Sequence, residues 1–381
     1  MIFFNSKKEI VVFVKNKLIS TDTVLPILIE AKEKFNISSI VVVFDKIAHD
    51  GIKKNIVIND AINYVGRELY ASKGATNKII RKINILISFF GLFLKFIRGC
   101  KIFHFGLLDE EPFRVIGVLF RKNIYLLQSD SFKHTYDQYN HIVGQKDKEQ
   151  IMPVGDNIVA FNNAMGQLYM PGISSKNLYH FGPTRTRKTW IDFSKKHSKY
   201  YFSKYHYNVD LSNGCIVLIV SFFGKVEMMN NPESTILDFF HQTVDVLSDI
   251  SIPVFIKPHV FSDMKIVNDA IHGKKGFYIT YLHPTILALK ARAFICNSYS
   301  TIMADVRSLG VTTIEYTDYK KEILIATNNK SIGYQYVDYF INNNRRVFSK
   351  TVERVLLDKY VVNNYQGRIS DSSGLLNNLS R

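Results

Sequence analysis

The feature that most constrains the fold of this chain is a repeated alternation of short apolar runs with longer helical stretches. In the N-terminal half, runs rich in Val, Ile and Phe cover residues 10–14, 39–44, 56–58, 101–105, 123–127, 157–161 and 177–181. Continuous apolar runs are typical of strands that are buried on both faces, and hence of a mostly parallel sheet. Helical segments are predicted between strands, for example at residues 21–35 and 112–120. This order predicts a doubly wound α/β domain.

A second series of strands and helices follows a polar, lysine-rich stretch at residues 186–208. Its predicted strands are 215–222, 254–257, 276–280, 293–296 and 312–316, and its predicted helices are 234–247, 262–272, 284–291 and 301–309. A chain of 381 residues has the length of two ordinary domains. We therefore predict two Rossmann-like domains facing a cleft, in which ligands lie at the carboxyl ends of the strands. The predicted boundaries are 1–195 for an acceptor-side domain, 205–345 for a nucleotide-binding domain and 346–381 for a helical tail. Residues 332–379 are predicted to be mainly helical.

The net charge, the cysteine content and the N-terminal sequence limit which binding partners and which cellular compartment are expected for this chain. The net charge of +16 would suit nucleic acid, an anionic membrane surface or acidic small molecules. The chain has no zinc-finger spacing, RNP-like segment or basic helix with heptads, so we predict no nucleic-acid partner. Three scattered cysteines make neither a disulfide framework nor a cysteine zinc site. The N-terminus has no signal-peptide pattern, and the predicted location is the cytoplasm.

Residues 83–96 (INILISFFGLFLKF) form a strongly apolar segment that contains Lys95 as its single charge and has basic residues on both sides. The segment is shorter than the roughly 20 residues that span a bilayer. One interpretation is a buried core helix. The other is an interfacial helix whose basic flanks meet anionic lipid, which would place the protein on the inner face of the cytoplasmic membrane.

The most informative motif is at residues 293–316, where a predicted strand leads through a small polar loop into a helix. Unpaired backbone N–H groups and the positive end of the dipole make a helix start suitable for phosphate. The hydroxyls of Ser298, Ser300 and Thr301 would complete such a phosphate site. The alternative is that one of them is an ordinary N-cap. Asp305 shares a helix face with Thr301 and would contact a ribose or sugar hydroxyl, or serve the first turn electrostatically.

A second candidate group follows the predicted strand at 254–257. Pro258 ends this strand, so that His259 lies at the carboxyl edge of the sheet. A histidine there would donate to a phosphate oxygen or act as an acid toward a leaving phosphate, and Lys257 would add positive charge. A structural role for His259 is the alternative. His283 is expected to be structural, because it precedes a proline at a helix start.

A third group lies near the end of the first domain, where residues 177–190 close a strand into the turn Gly182-Pro183. The arginines that follow suit an anionic ligand, and Arg185 is the preferred candidate, with Gly182 forming the turn. Arg187 and Lys188 are equally well interpreted as a solvated basic turn.

Transfer to an acceptor hydroxyl also needs a general base. Acidic residues follow two N-terminal strands, and the candidates are Glu110 and Asp130. The acidic run at 109–111 is equally explained as the N-terminal charges of the next helix.

Several chemistries are excluded by their motifs. The sequence contains no GxxxxGK[ST], no GxGxxG after its first strand, no GxSxG and no HExxH, which argues against P-loop, dinucleotide, serine-hydrolase and zincin chemistry. A DxD triplet is also absent. We therefore predict transfer without a metal and without a cofactor, in which protein groups neutralise the leaving phosphate.

Three motifs together resemble one group of enzymes: GPTR at residues 182–185, KPH at 257–259 and NSYSTIMADVRSLG at 297–310. They occur in the same order as in GT-B glycosyltransferases of bacterial surface polysaccharides. Similar enzymes are the transferases of CMP-activated Kdo or sialic-acid-like sugars and the CDP-glycerol glycerophosphotransferases of teichoic acid.

The resemblance implies roles for individual residues. His259 matches a histidine, and Ser300-Thr301 a hydroxyl pair, that contact the CMP in those enzymes, while Asp305 stands where many relatives have a glutamate. His259 is followed by Val260, where the relatives have proline. The implied function is transfer of a CMP-activated acidic sugar to a capsule, O-antigen or lipooligosaccharide glycan. The alternatives are a CDP-glycerol or polyol-phosphate transferase and a non-catalytic nucleotide-binding assembly protein.

Overall fold

The computed structural model describes residues 8–14, 18–73, 77–109, 113–127, 155–161, 178–221, 223–259, 262–358, 360–361, 365–367 and 373–380. These residues form two compact units. The first unit takes its described residues from Met1–Ser131, Lys148–Trp190 and Gly367–Arg381, and the second takes them from Ile191–Gln366. The domain boundaries drawn from the sequence stay a prediction.

The first unit is built on a seven-stranded sheet in which every neighbouring pair is parallel. Its strands are β1 (Glu9–Val14), β2 (Ser38–Val43), β3 (Gly66–Tyr70), β4 (Lys101–His104), β5 (Ile124–Leu127), β6 (Asn157–Ala160) and β7 (Leu178–His180). Their order in the sheet is β3-β2-β1-β4-β5-β6-β7. The helices that the structure describes between these strands are α1 (Leu18–Phe35), α2 (Lys46–Lys54), α3 (Ile56–Val65), α4 (Lys78–Ile97) and α5 (Arg114–Leu119).

The second unit is built on a six-stranded parallel sheet with the order β10-β9-β8-β11-β12-β13. The strands are β8 (Cys215–Val220), β9 (Val254–Pro258), β10 (Phe277–Ile279), β11 (Ala291–Cys296), β12 (Thr312–Thr317) and β13 (Tyr339–Asn342). The helices are α6 (Lys188–Tyr205), α7 (Thr235–Leu247), α8 (Met264–Ile271), α9 (Pro284–Ala288), α10 (Thr301–Ser308), α11 (Lys321–Ala326) and α12 (Arg345–Leu357). A last helix, α13 (Ser373–Ser380), belongs to the first unit.

The prediction of two doubly wound, parallel-sheet domains is confirmed. The central strands β1 and β8 are apolar on both faces, and the side chains of β8 are all buried. Helices therefore cover both sides of each sheet, as buried parallel strands require. In both sheets the strand order reverses next to the first strand of the unit, between β1 and β4 and between β8 and β11.

The strand predicted at residues 56–58 is wrong, because these residues begin helix α3. Asn55 caps this helix by accepting a hydrogen bond from the backbone N–H of Ile58 at 3.4 Å. The buried residues of α3 recur at helical spacing: Val57, Ile58, Ala61, Ile62 and Val65. The strand that follows β2 is instead β3, where a Cβ added to Gly66 would lie 1.9 Å from the carbonyl oxygen of Ser39. Only glycine allows that close approach.

The C-terminal region was predicted to be mainly helical, and the structure corrects this at Tyr339–Asn342. These residues form β13, which pairs with β12 at the edge of the second sheet. Helix α12 then packs on the sheet through Phe348, Val352 and Val355. The region therefore contains both an edge strand and helices.

Candidate nucleotide-binding site

The candidate site lies at the carboxyl edge of the second sheet, where the strand order reverses between β8 and β11. Open α/β sheets bind ligands at such a reversal of strand order. Ile219 of β8 pairs with Lys257 of β9 on one side and with Cys296 of β11 on the other. Cys296 in turn pairs with Glu315 of β12, so these four residues form one cross-strand row. His259 and Ser298 each lie two residues beyond this row. His259 and the hydroxyl residues that begin at Ser298 therefore lie at the same edge of the sheet. They follow β9 and β11, which are separated by β8 and are thus about 10 Å apart, or two strand spacings.

Cys296, the last residue of β11, is a buried thiol at the start of the loop that leads to α10. Burial, and next the negative charge of Glu315, raise the pKa of the Cys296 thiol well above its ordinary value, although the nearby backbone N–H groups of Ser298 and Ser300 lower it. The thiol therefore stays protonated and unreactive, because reactivity requires the thiolate.

Asn297 fixes the start of the same loop. Its side-chain amide donates to Thr243 Oγ1 at 2.8 Å and to the backbone oxygen of Tyr316 at 3.1 Å. Asn297 is 2% exposed, so both bonds are shielded from water. The amide thus ties the loop to α7 and β12.

Glu315 is a buried carboxylate that organises the other side of the loop. One of its oxygens accepts from the hydroxyl of Tyr319 and the other from the hydroxyl of Ser331. Burial, and next the charge of Glu315, raise the pKa of Tyr319 well above its ordinary value, so Tyr319 stays a donor. Tyr319 in turn accepts a long hydrogen bond of 3.5 Å from the backbone N–H of Tyr299. Ser331 accepts from the backbone N–H of Gly333 at 2.9 Å.

Sequence reasoning missed Glu315, Tyr319 and Gly333. The signal for Glu315 was present, because it is the one charged residue in the otherwise uncharged strand β12. Gly333 carries no such signal, and its importance follows from packing. A Cβ on Gly333 would lie 1.9 Å from the ring of Tyr299, so the two residues are in close contact.

The three hydroxyl residues of the predicted phosphate site remain partly accessible to solvent. Ser298, Ser300 and Thr301 are each half-buried. Ser300 is the N-cap of α10, since its hydroxyl accepts from the backbone N–H of Ile302 at 3.4 Å. The capping interpretation therefore describes Ser300, and its long bond leaves the hydroxyl able to contact a ligand as well. Asp305, one turn further along α10, is 4% exposed.

His259 and Lys257 lie on the opposite side of β8 from these hydroxyls. The backbone N–H of His259 donates to Val220 on β8 at 3.0 Å, which extends the strand pairing. Desolvation of the ring, and next the charge of Lys257, lower the pKa of His259 below its ordinary value. The imidazole is therefore neutral at neutral pH while the residue remains exposed. An anion bound beside it would raise this pKa again, because opposite charges favour the protonated form.

His283 has the structural role that the sequence predicts. Its Nδ1 accepts from the backbone N–H of Thr285 at 3.1 Å, and Pro284 occupies the first turn of α9. His283 is 1% exposed. It is an N-cap inside the second unit.

In the first unit, the arginines after β7 are buried. Arg187 forms a two-pronged ion pair with Glu30, with N–O distances of 2.8 and 3.0 Å, and its guanidinium stacks on Phe181 at 4.0 Å. The interpretation of Arg187 as a solvated turn is wrong, because the residue is 4% exposed. Arg185 contacts Asp22 at 3.4 Å and is 3% exposed. Gly182, with φ of 76°, makes the left-handed turn that brings these arginines back over the unit.

The candidate bases Glu110 and Asp130 both lie outside the described residues. The strand-order reversal of this unit has His104 at the end of β4, and its Nδ1 accepts from the backbone N–H of Leu108 at 3.4 Å. His104 is fully buried and was passed over in the sequence. Within the described residues, no group of three His, Cys, Asp or Glu side chains is placed to hold a metal ion.

Comparison with known proteins identifies the fold. No family model matches this chain, and no curated protein matches it in sequence. Solved structures do match it over nearly its whole length. The UDP-GlcNAc 2-epimerase of Neisseria meningitidis bound to UDP-GlcNAc is 12% identical with a TM-score of 0.55, and covers 98% of this chain and 99% of its own.

Two further structures give the same result. The UDP-N-acetylglucosamine 2-epimerase of Rickettsia bellii is 9% identical, covers 98% of this chain and 94% of its own, and has a TM-score of 0.53. The wall teichoic acid polymerase TagF soaked with CDPG is 11% identical, covers 97% of this chain and 82% of its own, and has a TM-score of 0.50. At such identities the likeness shows the fold alone. This chain has the GT-B type of fold, with two Rossmann-like units in one polypeptide.

Proposed function

We propose that the protein is a glycosyltransferase that uses a nucleotide-activated sugar, with a CMP-linked acidic sugar such as a sialic-acid-like sugar or Kdo as donor. Its acceptor is a bacterial surface glycan, and it works without a metal or a cofactor. The protein acts in the cytoplasm, at the inner face of the membrane where such glycans grow.

One observation carries this proposal: the hydroxyl loop at the start of α10 and the His259 end of β9 lie at the same level of one sheet edge, on either side of β8. A nucleotide phosphate at this point would meet hydroxyls from one side, and an imidazole and Lys257 from the other. The positive end of the α10 dipole faces the same edge.

The residues also suit the chemistry of a leaving nucleotide. The loop is held by Asn297 and Tyr319, so its hydroxyls are in position before a ligand arrives. Preorganised donors stabilise developing charge without reorganisation. His259 is neutral in the free protein, and its pKa rises as the leaving phosphate gains negative charge. It is therefore suited to donate a hydrogen bond or a proton to that phosphate.

Anion binding by Arg185 at the turn after β7, and ribose or sugar contact by Asp305, remain parts of the proposal. Both side chains are buried, so either contact requires a ligand that reaches well below the surface. The general base is proposed to be Glu110 or Asp130.

A CDP-glycerol or polyol-phosphate transferase is the second candidate. The fold likeness to TagF favours it, as do the motifs shared with that group. The likeness to UDP-GlcNAc 2-epimerases adds a third donor class, UDP-sugars, to the test. A non-catalytic nucleotide-binding protein would bind one of these nucleotides without hydrolysis or transfer.

The test is a titration of CMP, CDP and UDP by calorimetry. The substitutions Ser300→Gly and Thr301→Ala remove both hydroxyls, and glycine keeps most of the N-cap's contribution to stability. The double variant should weaken CMP binding by about 1–3 kcal/mol, the scale for hydrogen bonds to a charged group. Ser349→Ala with Thr351→Ala on α12 is the matched control and should bind CMP normally.

Each result of the titration selects one of the candidate functions. Tightest binding of CMP supports the proposal, whereas tightest binding of CDP or UDP selects the second or third donor class. Unchanged affinity in the folded double variant would remove the phosphate site from α10. Nucleotide binding without any donor turnover would identify a non-catalytic protein.

A further inference from the structure

Helix α4 has two apolar faces. Its inner face packs Phe89, Leu92, Phe93 and Phe96 against the core of the first sheet. Its outer face consists of seven side chains that are each 47–70% exposed and recur every three or four residues: Ile79, Ile83, Leu86, Ile87, Phe90, Leu94 and Ile97. A helix on the surface of a globular unit normally carries polar residues on its outer face. The outer face of α4 therefore needs a specific explanation.

Helix α5 extends this apolar surface. The ring of Phe113 packs on Phe89 with centroids 5.1 Å apart, and Phe120 packs edge-on to Phe93 at 5.6 Å. These contacts place α5 beside α4. Three of its exposed side chains are also apolar: Val115, Val118 and Leu119, each 57–63% exposed.

We call these ten side chains the α4–α5 face. They account for ten of the 22 exposed large hydrophobic residues among the described parts of the chain. Such clustering exceeds the scattered apolar residues of an ordinary surface, and larger apolar patches mark interaction sites.

Most of the exposed charged side chains that the structure describes around the α4–α5 face are basic. Neither α4 nor α5 contains an acidic residue. Six exposed side chains in and next to the two helices are basic: Arg81, Lys82, Arg98, Arg114, Arg121 and Lys122. Arg121 is paired with Asp156, and the acidic run at 109–111 precedes α5 in the sequence. An apolar face with basic flanks fits a surface that is apolar inside and anionic at its rim.

We propose that the α4–α5 face docks on an anionic lipid bilayer, with both helices lying in the plane of the interface. Apolar side chains would enter the boundary between headgroups and acyl chains, while the basic flanks meet lipid phosphates. Helix α4, with 20 residues, is long enough for such contact over about 30 Å. Its inner face is occupied by the sheet, so lipid cannot surround it. None of the described helices is long and apolar enough to cross a membrane.

A second copy of the chain is the less suitable occupant. A twofold contact through the α4–α5 face would bring the same patch of both copies together, and with it two sets of basic flanks. Like charges placed together cost affinity, and the net charge of each copy is already +16. Anionic headgroups would instead neutralise these flanks.

This inference rests on the proposed function, because a glycosyltransferase docked on the membrane would reach a glycan acceptor that the membrane carries. The two can fail separately. Vesicle binding is measured without donor or acceptor, and nucleotide binding is measured without lipid.

The experiment is co-sedimentation of the full chain with vesicles of phosphatidylcholine, with and without phosphatidylglycerol. We expect binding to the anionic vesicles that weakens as salt shortens the screening length to about 10 Å at 0.1 M. The variant Leu86→Gln/Phe90→Gln/Leu94→Gln keeps good helix formers on α4. It should lower the partition coefficient by about 100-fold, because three side chains no longer enter the interface.

The matched control is Ile325→Gln/Val347→Gln/Leu357→Gln, which removes three equally exposed side chains from helices of the second unit. This control should bind vesicles like the wild type. Neutralising Arg81→Gln/Lys82→Gln should cost about fivefold for each charge on anionic vesicles and nothing on neutral ones.

Three results would overturn the proposal. The first is no co-sedimentation at low salt, and the second is an equal loss in the control variant. The third is a dimer in sedimentation equilibrium that the α4 variant dissociates, with no vesicle binding by the wild type. That last result would assign the α4–α5 face to a second copy of the chain.

Discussion

The substitution Gly333→Ala perturbs the candidate site without touching a residue that would contact the ligand. A Cβ at this position would lie 1.9 Å from Tyr299 Cε2 and 2.3 Å from Cδ2. The φ angle of Gly333 is −108°, which alanine adopts without strain. The backbone therefore has no reason to move, and the ring of Tyr299 must. Carbon atoms in contact are separated by about 3.5–4.0 Å, so the ring has to shift by about 1.5–2 Å.

The shift reaches the site because Tyr299 has little other room. Its ring packs against the cluster that contains Met229, Tyr319 and Ile332. Its backbone N–H is bonded to the Tyr319 hydroxyl, and its chain neighbours are the two loop serines. A misplacement of about 1 Å can cost 100-fold in a preorganised site. We expect CMP affinity to fall by about 10–100-fold, with a loss of about 1–3 kcal/mol in the free energy of unfolding from overpacking.

Calorimetric titration with CMP measures the loss of affinity, and two further variants test whether the contact with Tyr299 causes it. Gly374→Ala adds a Cβ that meets nothing within 4 Å and should leave affinity unchanged. In a Tyr299→Leu background the added methyl has space, so Gly333→Ala should have little further effect in the double-mutant cycle. A folded Gly333→Ala protein that binds CMP like the wild type would refute the idea that this loop positions the ligand.

The remaining predictions concern two histidines. His259→Ala should lower kcat by about 10²–10⁴-fold, the range for groups that act in the transition state, while the KM for the donor changes much less. Activity should persist in EDTA, and a folded variant with near-normal kcat would make His259 structural. His206 should govern acid stability, because desolvation lowers its pKa to about 4, and its Nε2 lies 2.9 Å from Thr280 Oγ1. Its contribution to the free energy of unfolding is complete above the unfolded pKa of about 6.5 and is lost as pH falls toward 4, by about 1–3 kcal/mol in total. Denaturant titrations should show this slope in the wild type and a flatter profile in His206→Gln.

The two sheets were predictable where burial is complete. Strands such as β1 and β8 are apolar on both faces, and no surface helix has that pattern. The missed strands lie where burial is partial. β3 (GRELY) and β13 (YFIN) are edge strands with mostly half-buried side chains, and neither sequence carries an apolar run longer than three residues. A three-residue apolar run at 56–58 cannot distinguish a strand from a helix start.

The candidate site likewise has features that the sequence predicted and features that it did not. The order strand, polar loop, helix at 293–316 correctly predicts where the hydroxyl residues lie, because parallel strands bring their carboxyl ends to one edge. Partners distant in sequence were not predictable. For Arg187 the sequence left a ligand-binding role and a solvated turn equally open, and it gave no sign of the buried ion pair with Glu30, which is 157 positions away. Gly333 lies 34 positions after Tyr299, and neither residue hints at the other.

The Glu315 network presents a physical problem, because a carboxylate lies directly below a loop that is proposed to bind an anion. The direction of its hydrogen bonds resolves this. Both carboxylate oxygens accept from hydroxyls, so each hydroxyl oxygen has its lone pairs left for a backbone N–H: Tyr319 accepts from Tyr299 and Ser331 accepts from Gly333.

Glu315 accepts from both hydroxyls, so it sets the direction of the bonds on each side. A neutral amide at this position would offer one donor and one acceptor, and one hydroxyl would have to reverse and release its N–H. The two N–H groups belong to the residues whose close packing positions the loop. The carboxyl oxygens are thus satisfied below the edge, and their hydrogen bonds hold in place the loop whose hydroxyls and helix dipole face the ligand above.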